Sequence, residues 1–195
     1  MDKDKTQAAA KPMKDIVVCC LVLALVGAFS GGLIGFTRSV TQPIIDASEK
    51  EKSAAAAQKA LPEATRIDMG VTVIDNQNVP YYIGYFDDAI VGYAIETVRG
   101  GYSPDINVIT GFGTDGAVSS VLVTSHSETS GIGTLVFESD EFMNQFVGKT
   151  AIDSIKLGTD IDALSGATRT STGVTNAVRA AAGYLEAVVA HSATE

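Results

Sequence analysis

Groups able to do chemistry are concentrated at Asp162-Ala163-Leu164-Ser165-Gly166-Ala167-Thr168, which runs through Arg169-Thr170-Ser171-Thr172 into an alanine-rich stretch ending near Ala190. A hydroxyl-dense, glycine-containing turn here feeds a helix expected from about Thr172 to Ala190. Free backbone N–H groups and the positive end of the helix dipole would face whatever Thr168 carries, an arrangement suited to holding a phosphate. Thr170 offers a second hydroxyl in the same turn. The same residues also read as everyday structure, with Ser171 or Thr172 as an N-cap and Ser165-Gly166 as a turn. Spacing alone leaves both readings open.

A second group of polar residues lies at His126-Ser127-Glu128-Thr129-Ser130-Gly131-Ile132-Gly133. His126 and Glu128 fall on one face if a strand continues through them, which would suit a metal or an acid–base pair. Two candidate ligands are too few for a metal site, and no third is identifiable. A solvated ion pair or a loop-fixing hydrogen bond is the commoner role for such a pair. A serine hydrolase would need a G-x-S-x-G elbow, which is absent. Gly111-Phe112-Gly113-Thr114-Asp115-Gly116 matches G-x-G-x-x-G formally, but a dinucleotide site needs a helix directly after it. The residues that follow are β-like, so the stretch is expected to be a hairpin turn.

Composition narrows the remaining chemistry. Cys19 and Cys20 are adjacent inside an apolar run, and the histidines are His126 and His191 alone. That supply argues against a disulfide framework, a structural zinc site or an iron–sulfur cluster ligated within the chain. If the protein moves electrons, an organic cofactor carries them. The formal net charge of −9 argues against a nucleic-acid partner.

The elements that must position these residues follow from the chain in order. With 195 residues there is room for one ordinary domain plus extensions. Residues 1–15 are polar and contain four lysines, and Ile16–Thr37 is a run of 22 residues without a formal charge. At 1.5 Å per residue this run covers the roughly 30 Å hydrocarbon layer, so residues 16–37 are expected to form a retained transmembrane helix. A cleaved signal peptide would have a shorter apolar region. Lysines ahead of the span place the N-terminus in the cytoplasm and the bulk of the chain outside. Residues 38–62, rich in Ala, Glu and Lys, are expected to form a helical stalk that Thr41-Gln42-Pro43 separates from the span and Pro62 ends.

Residues 63–195 are expected to form one extracytoplasmic domain. Strands are expected at Val71–Ile74, Tyr81–Phe86, Ile90–Val98, Ile106–Phe112 and Val118–Thr124, from their β-branched and aromatic content. Ser139 can cap a short amphipathic helix carrying Phe142, Met143 and Phe146, and a further strand is expected around Ile155. The class is therefore α+β, with a mixed or antiparallel sheet and a C-terminal helix.

Asp162 to Thr168 reads D-x-x-S-G-A-T, which resembles the flavinylation motif of proteins that carry FMN in phosphoester linkage to the last threonine. His126 to Gly133 resembles the H-x-E-T-P-G-L-G segment of the G subunit of the Rnf electron-transport complex and of its relative, the C subunit of the sodium-pumping NADH:quinone reductase. Ser130 and Ile132 stand where that segment has proline and leucine. Gly100-Gly101-Tyr102-Ser103-Pro104-Asp105-Ile106 is similar to the glycine–tyrosine loop of the same family, without the glycines usual after the tyrosine.

The resemblance implies an FMN-binding domain with FMN covalently attached to Thr168. A flavin transferase would take the FMN from FAD, and Asp162, Ser165, Gly166 and Ala167 would form the recognition frame. Arg169 and the helix start would neutralise the phosphodiester, with Thr170 alongside. His126, Glu128, Thr129 and Gly131 would lie near the flavin. The implied role is an electron-carrying component of the Rnf complex in a bacterial or archaeal cytoplasmic membrane, coupling ferredoxin and NAD redox chemistry to sodium or proton movement. NAD, ferredoxin and the ion would be handled by the other membrane and peripheral subunits of the complex. Other roles remain open: a stand-alone flavinylated shuttle, a flavin domain of an extracytoplasmic reductase, or an anchored binding module without flavin.

Overall fold

The computed structural model describes residues 4–128, 131 and 133–193. These divide into two compact units, one up to Ser48 and one from Glu49 onward. The first helix, α1 (Asp4–Ala60), supplies all of the first unit. Between Ile16 and Phe36 its large apolar side chains, Leu21, Leu23, Leu25, Phe29, Ile34 and Phe36 among them, are exposed. A helix that is apolar all round and this long can cross a membrane.

The helix continues through Thr41-Gln42-Pro43, where an interruption is expected from the sequence. Pro43 removes one backbone bond, but helix formers on its C-terminal side carry the helix onward. Just before it, the hydroxyls of Thr37, Ser39 and Thr41 donate to the carbonyls of Leu33, Phe36 and Thr37. Such back-bonding is compatible with a continuous helix.

The second unit is built on five antiparallel strands, β1 (Arg66–Ile74), β2 (Gln77–Phe86), β3 (Ala89–Arg99), β4 (Ile106–Gly113) and β5 (Val118–His126), whose order in the sheet equals their order in the chain. Alternation decides which side chain faces which way. In β2, Tyr81 and Ile83 enter one core and Tyr82 the other; in β4, Val108 and Ile109 divide the same way. Both faces of the central strands are therefore buried, which is why their sequences read as nearly continuous apolar runs.

The larger core lies under α4 (Thr168–Ser192), which packs on β3, β4 and β1 through Val174, Ala177, Val178, Ala181, Leu185 and Val188. Alanines let this helix sit low on the sheet, and Thr97 Oγ1 donates to the Ala177 carbonyl at 3.1 Å in the buried seam. α2 (Thr134–Glu138) and α3 (Asp140–Asn144) close one end with Val136 and Phe142. Ser139 caps α3, accepting from the Phe142 N–H at 3.2 Å.

The opposite face is covered by the end of α1. Ala57, Ala60, Leu61 and Ala64 pack against Tyr82, Ala94 and Ile109. A Cβ at Gly84 would lie 3.0 Å from Leu61 Cδ1 and one at Gly92 2.9 Å from Leu61 Cδ2, so the cross-strand pair Gly84–Gly92 leaves the space that Leu61 fills. Ser120 Oγ donates to the Ala60 carbonyl at 3.2 Å, giving a partner to one of the carbonyls at the helix end.

Two details differ in kind. Thr114-Asp115-Gly116 makes the expected β4–β5 turn, with Gly116 at φ 78°. No strand forms at Ile155: that residue is buried at φ 38° in an irregular segment that holds a single bridge between Leu157 and Ile161, and the Asp160 carboxylate accepts from Ser154 Oγ and the Lys156 N–H. The strand-like composition there comes from an apolar residue that plugs the core from a loop.

Beneath the end of α1, Ser53 Oγ donates to Glu96 Oε1 at 3.0 Å. Burial holds the Glu96 carboxyl above its ordinary value, with Glu49 adding to the shift, and the Ser53 bond opposes it. Tyr82 alongside is pushed up to about 12, first by burial and then by Glu96. A carboxyl raised in the folded state favours folding fully below its unfolded value of about 4.3 and loses that contribution as pH rises through the folded value. Glu96→Gln should therefore match the wild type in thermal midpoint near pH 4 and gain on it as pH rises towards neutrality, which unfolding followed by circular dichroism across pH would check.

Candidate functional site

The turn that introduces α4 is set by one glycine. The Ala167 N–H donates to the Leu164 carbonyl at 3.0 Å, and Gly166, third in this turn, has φ 81°. A positive φ at that position is open to glycine and strained for other residues. The helix then begins at Thr168, four residues before the expected start. Ser171 and Thr172 lie inside it and are not N-caps: Ser171 Oγ bonds the Leu164 N–H at 3.2 Å and the Ala167 carbonyl at 3.1 Å, and Thr172 Oγ1 donates to the Thr168 carbonyl at 2.7 Å. The N-cap position is Ala167, which has no side chain able to cap. Among the described residues the first N–H groups of this 25-residue helix have no side-chain acceptor, and the partial positive charge there is open to an anion.

Thr168 is exposed, whereas Thr170 is buried at 2% exposure. That difference in burial separates the two threonines.

Two loops meet this helix start. The Gly100–Asp105 loop lies directly on α4 because both sides lack side chains: a Cβ at Gly173 would fall 2.9 Å from the Gly100 carbonyl oxygen and 2.9 Å from Gly101 Cα. The second loop follows β5. The strand ends at His126, so His126 and Glu128 do not share a face: the His126 ring is exposed and lies 4.6 Å from the Phe137 ring, and Glu128 turns inward to 7% exposure. Glu128 Oε1 accepts from the N–H groups of Tyr102 at 2.8 Å and Ser103 at 3.1 Å, while Ser103 Oγ donates to the Ser127 carbonyl at 2.7 Å. The loop-fixing role open to Glu128 in the sequence is the one it plays.

Between these parts lies a cleft of about 410 Å³, lined by Tyr102, Glu128, Gly133, Gly166, Ala167, Thr168, Arg169 and Thr170. Its size is that of a small-molecule site. Of the expected site residues, Gly166, Ala167, Thr168, Arg169, Thr170 and Glu128 come together here. Ser165 is exposed in the turn outside the lining. Asp162 is exposed too, its backbone N–H held by Gln145 Oε1 at 2.7 Å, so it fixes the approach to the turn and leaves its carboxylate to solvent. Gly131, at φ 82°, is exposed and donates its N–H to Thr134 Oγ1 at 2.9 Å, and the glycine that lines the cleft is Gly133. Thr129 lies outside the described residues.

Sequence reasoning missed Tyr102 and Gly173 as site residues. Tyr102 sits in a loop singled out only for its resemblance, and the residue is 66% exposed at the cleft. A glycine that permits close approach carries no signal until the neighbouring backbone is known.

Residues 101–183 match the family model of the FMN-binding domain, a range that holds every residue lining the cleft. The chain is 31% identical over 182 residues to the G subunit of the ion-translocating oxidoreductase complex of Methanosarcina acetivorans, covering 89% of this chain and 96% of that one. The chain belongs to this G-subunit family. Within the family it is also 27% identical to the G subunit of the Na(+)-translocating ferredoxin:NAD(+) oxidoreductase complex of Acetobacterium woodii, over 81% of this chain and 86% of the relative. A looser likeness joins it to the solved structure of NqrC from Shewanella oneidensis, at 19% identity and a TM-score of 0.45 over 62% of this chain and 66% of that one.

For this member of the G-subunit family, the packing of the first loop on α4 gives a direct check. Gly173→Ala gains helix propensity of about 1 kcal/mol but drives a methyl into backbone, so a net loss on the order of 1–3 kcal/mol is expected. Gly183, on the same helix, has nothing within 4 Å of an added Cβ. Gly183→Ala should raise the melting temperature where Gly173→Ala lowers it, as measured by calorimetry.

Proposed function

We propose that this chain is the electron-carrying component of a membrane-bound, ion-translocating ferredoxin:NAD oxidoreductase and that it carries FMN as a phosphoester on Thr168. The observation that carries this reading is the exposed Thr168 at an uncapped helix start, lining a cleft of about 410 Å³ within the stretch that matches the FMN-binding domain. The residues present fit the group. An uncapped helix start and Arg169 offer positive charge to a phosphodiester, and Tyr102 offers an exposed aromatic residue.

When bound, FMN supplies the electron transfer, which the amino-acid side chains cannot. The chain's own residues attach and orient it. Thr168 Oγ1 would be the oxygen joined to phosphorus as AMP leaves FAD, its proton passing to a base on the flavin transferase. Gly166 presents the turn on which that enzyme would close, and the buried Thr170 stays out of reach. The helix dipole then holds a singly charged diester in place of a free dianion. Covalent attachment keeps the cofactor from being lost by dilution outside the cell, where the lysines ahead of the apolar segment of α1 would place this domain.

The expected outcome is clear-cut. Protein made together with a flavin transferase should fluoresce under ultraviolet light after denaturing electrophoresis. Thr168→Ala should abolish that fluorescence, while Thr170→Ala should retain it. Intact mass would check the stoichiometry, and a wild-type mass without an FMN adduct would refute the reading. Copurification with multi-spanning membrane proteins would separate a member of a complex from a stand-alone shuttle.

A further inference from the structure

The last turns of α1 rest on the sheet with little apolar grip. Ser53, Ala56, Ala57 and Ala60 form their inner face, and the large side chain there is Leu61, just past the helix end. Alanine methyls bury little area, so this stretch belongs to the lightly held part of the domain. Its polar contact is a cluster of three side chains. Ser53, at 6% exposure, donates to Glu96 Oε1 at 3.0 Å, and the hydroxyl of Tyr82, at 1% exposure, is hydrogen-bonded with both.

Charge is arranged unfavourably around that carboxyl. Glu49, four residues before Ser53 and so one turn away on α1, acts on Glu96 as a second acid. Lys50 and Lys52 of α1 are exposed, and among the described residues no cation pairs with Glu96. Met69 of β1 stands opposite Tyr82 and Ile109 of β4 opposite Glu96, so the neighbouring strands add no charge there. Burial first, and Glu49 after it, hold the Glu96 carboxyl above its ordinary value, while the Ser53 and Tyr82 bonds oppose them without cancelling them. Glu49 is carried by α1 and Ser53 stands against the carboxyl, so both causes weaken if this stretch lifts. Tyr82, pushed up to about 12, keeps its proton, which leaves Glu96 as the group that changes charge.

We propose that Glu96 is a proton-operated latch for the end of α1: residues 49–57 stay seated on the sheet while the carboxyl holds its proton, and lift when it is lost. Leu61 against Gly84 and Gly92, with the Ser120 bond to the Ala60 carbonyl, keeps the far end in place as a pivot. Seating is fully favoured below the ordinary carboxyl value of about 4.3. It weakens by up to about tenfold per pH unit above that, and levels off past the raised value. Residues 49–57 join the domain to the rest of α1, so release lengthens the free connection.

Full-length protein with 13C-labelled alanine and isoleucine methyls, in detergent micelles and made without flavin transferase, provides the test. Ala57 and Ile109 lie in this layer, and Ile95 and Ile106 in the core on the other face. As pH rises from about 4 towards neutrality, the Ala57 and Ile109 signals should shift and those of Ile95 and Ile106 should not, which separates release from unfolding. Glu96→Gln keeps an acceptor for Ser53 but cannot ionise, so its signals should stay at their low-pH positions throughout. Wild-type signals that hold still, or a Glu96→Gln variant that follows the wild-type course, would overturn the proposal. Should Glu96→Gln fail to accumulate, Glu49→Gln decides: it should release less than the wild type, and an equal release would count against the latch.

Discussion

Backbone lies against backbone where Gly100 and Gly101 rest on Gly173, and the site depends on that contact. An added methyl at Gly173 would stand 2.9 Å from atoms of the opposing main chain, so nothing but hydrogen fits between loop and helix. The approach brings Tyr102 and Ser103 within reach of Glu128, and Glu128 in turn ties down the stretch that follows β5. Three segments distant in the chain are thereby held around one helix start, with one carboxylate and a few glycines as the means. The helix end of the cleft favours an anion.

The sheet makes this possible by being covered on both sides. α4 lies on one face and the end of α1 on the other, so the central strands form a rigid platform with apolar side chains above and below. Small residues set the spacing in both layers: alanines under α4, and Gly84 and Gly92 beneath Leu61. The acidic Glu96 near Ser53 and Tyr82 is the exception, a titratable group placed in the thinner layer.

Much of this was legible in the sequence because the signals were local. β-branched and aromatic runs marked all five strands, the turn at Thr114-Asp115-Gly116 marked a hairpin, and Ser139 marked a cap. Thr168 stood out from its neighbours and is exposed at the start of α4, while Thr170 is buried. What escaped notice was decided by distant contacts. The helix starts at Thr168 because Ser171 spends its hydroxyl on Leu164 and Ala167. α2 is too short for any periodicity to reveal. Ile155 looks like a strand residue, yet it is held at positive φ in a loop. The inward turn of Glu128 follows from the end of β5 at His126, a boundary that spacing cannot fix to within a residue.

Strand order that follows chain order means each strand pairs with its immediate successor, so the meander can assemble from contacts close in sequence. α4 is different: it returns from beyond both short helices to cover strands that lie far earlier in the chain. Thr168 is carried by this returning element, while Tyr102 and Glu128 belong to segments earlier in the chain. The cleft they line is therefore complete only once that long-range closure is made.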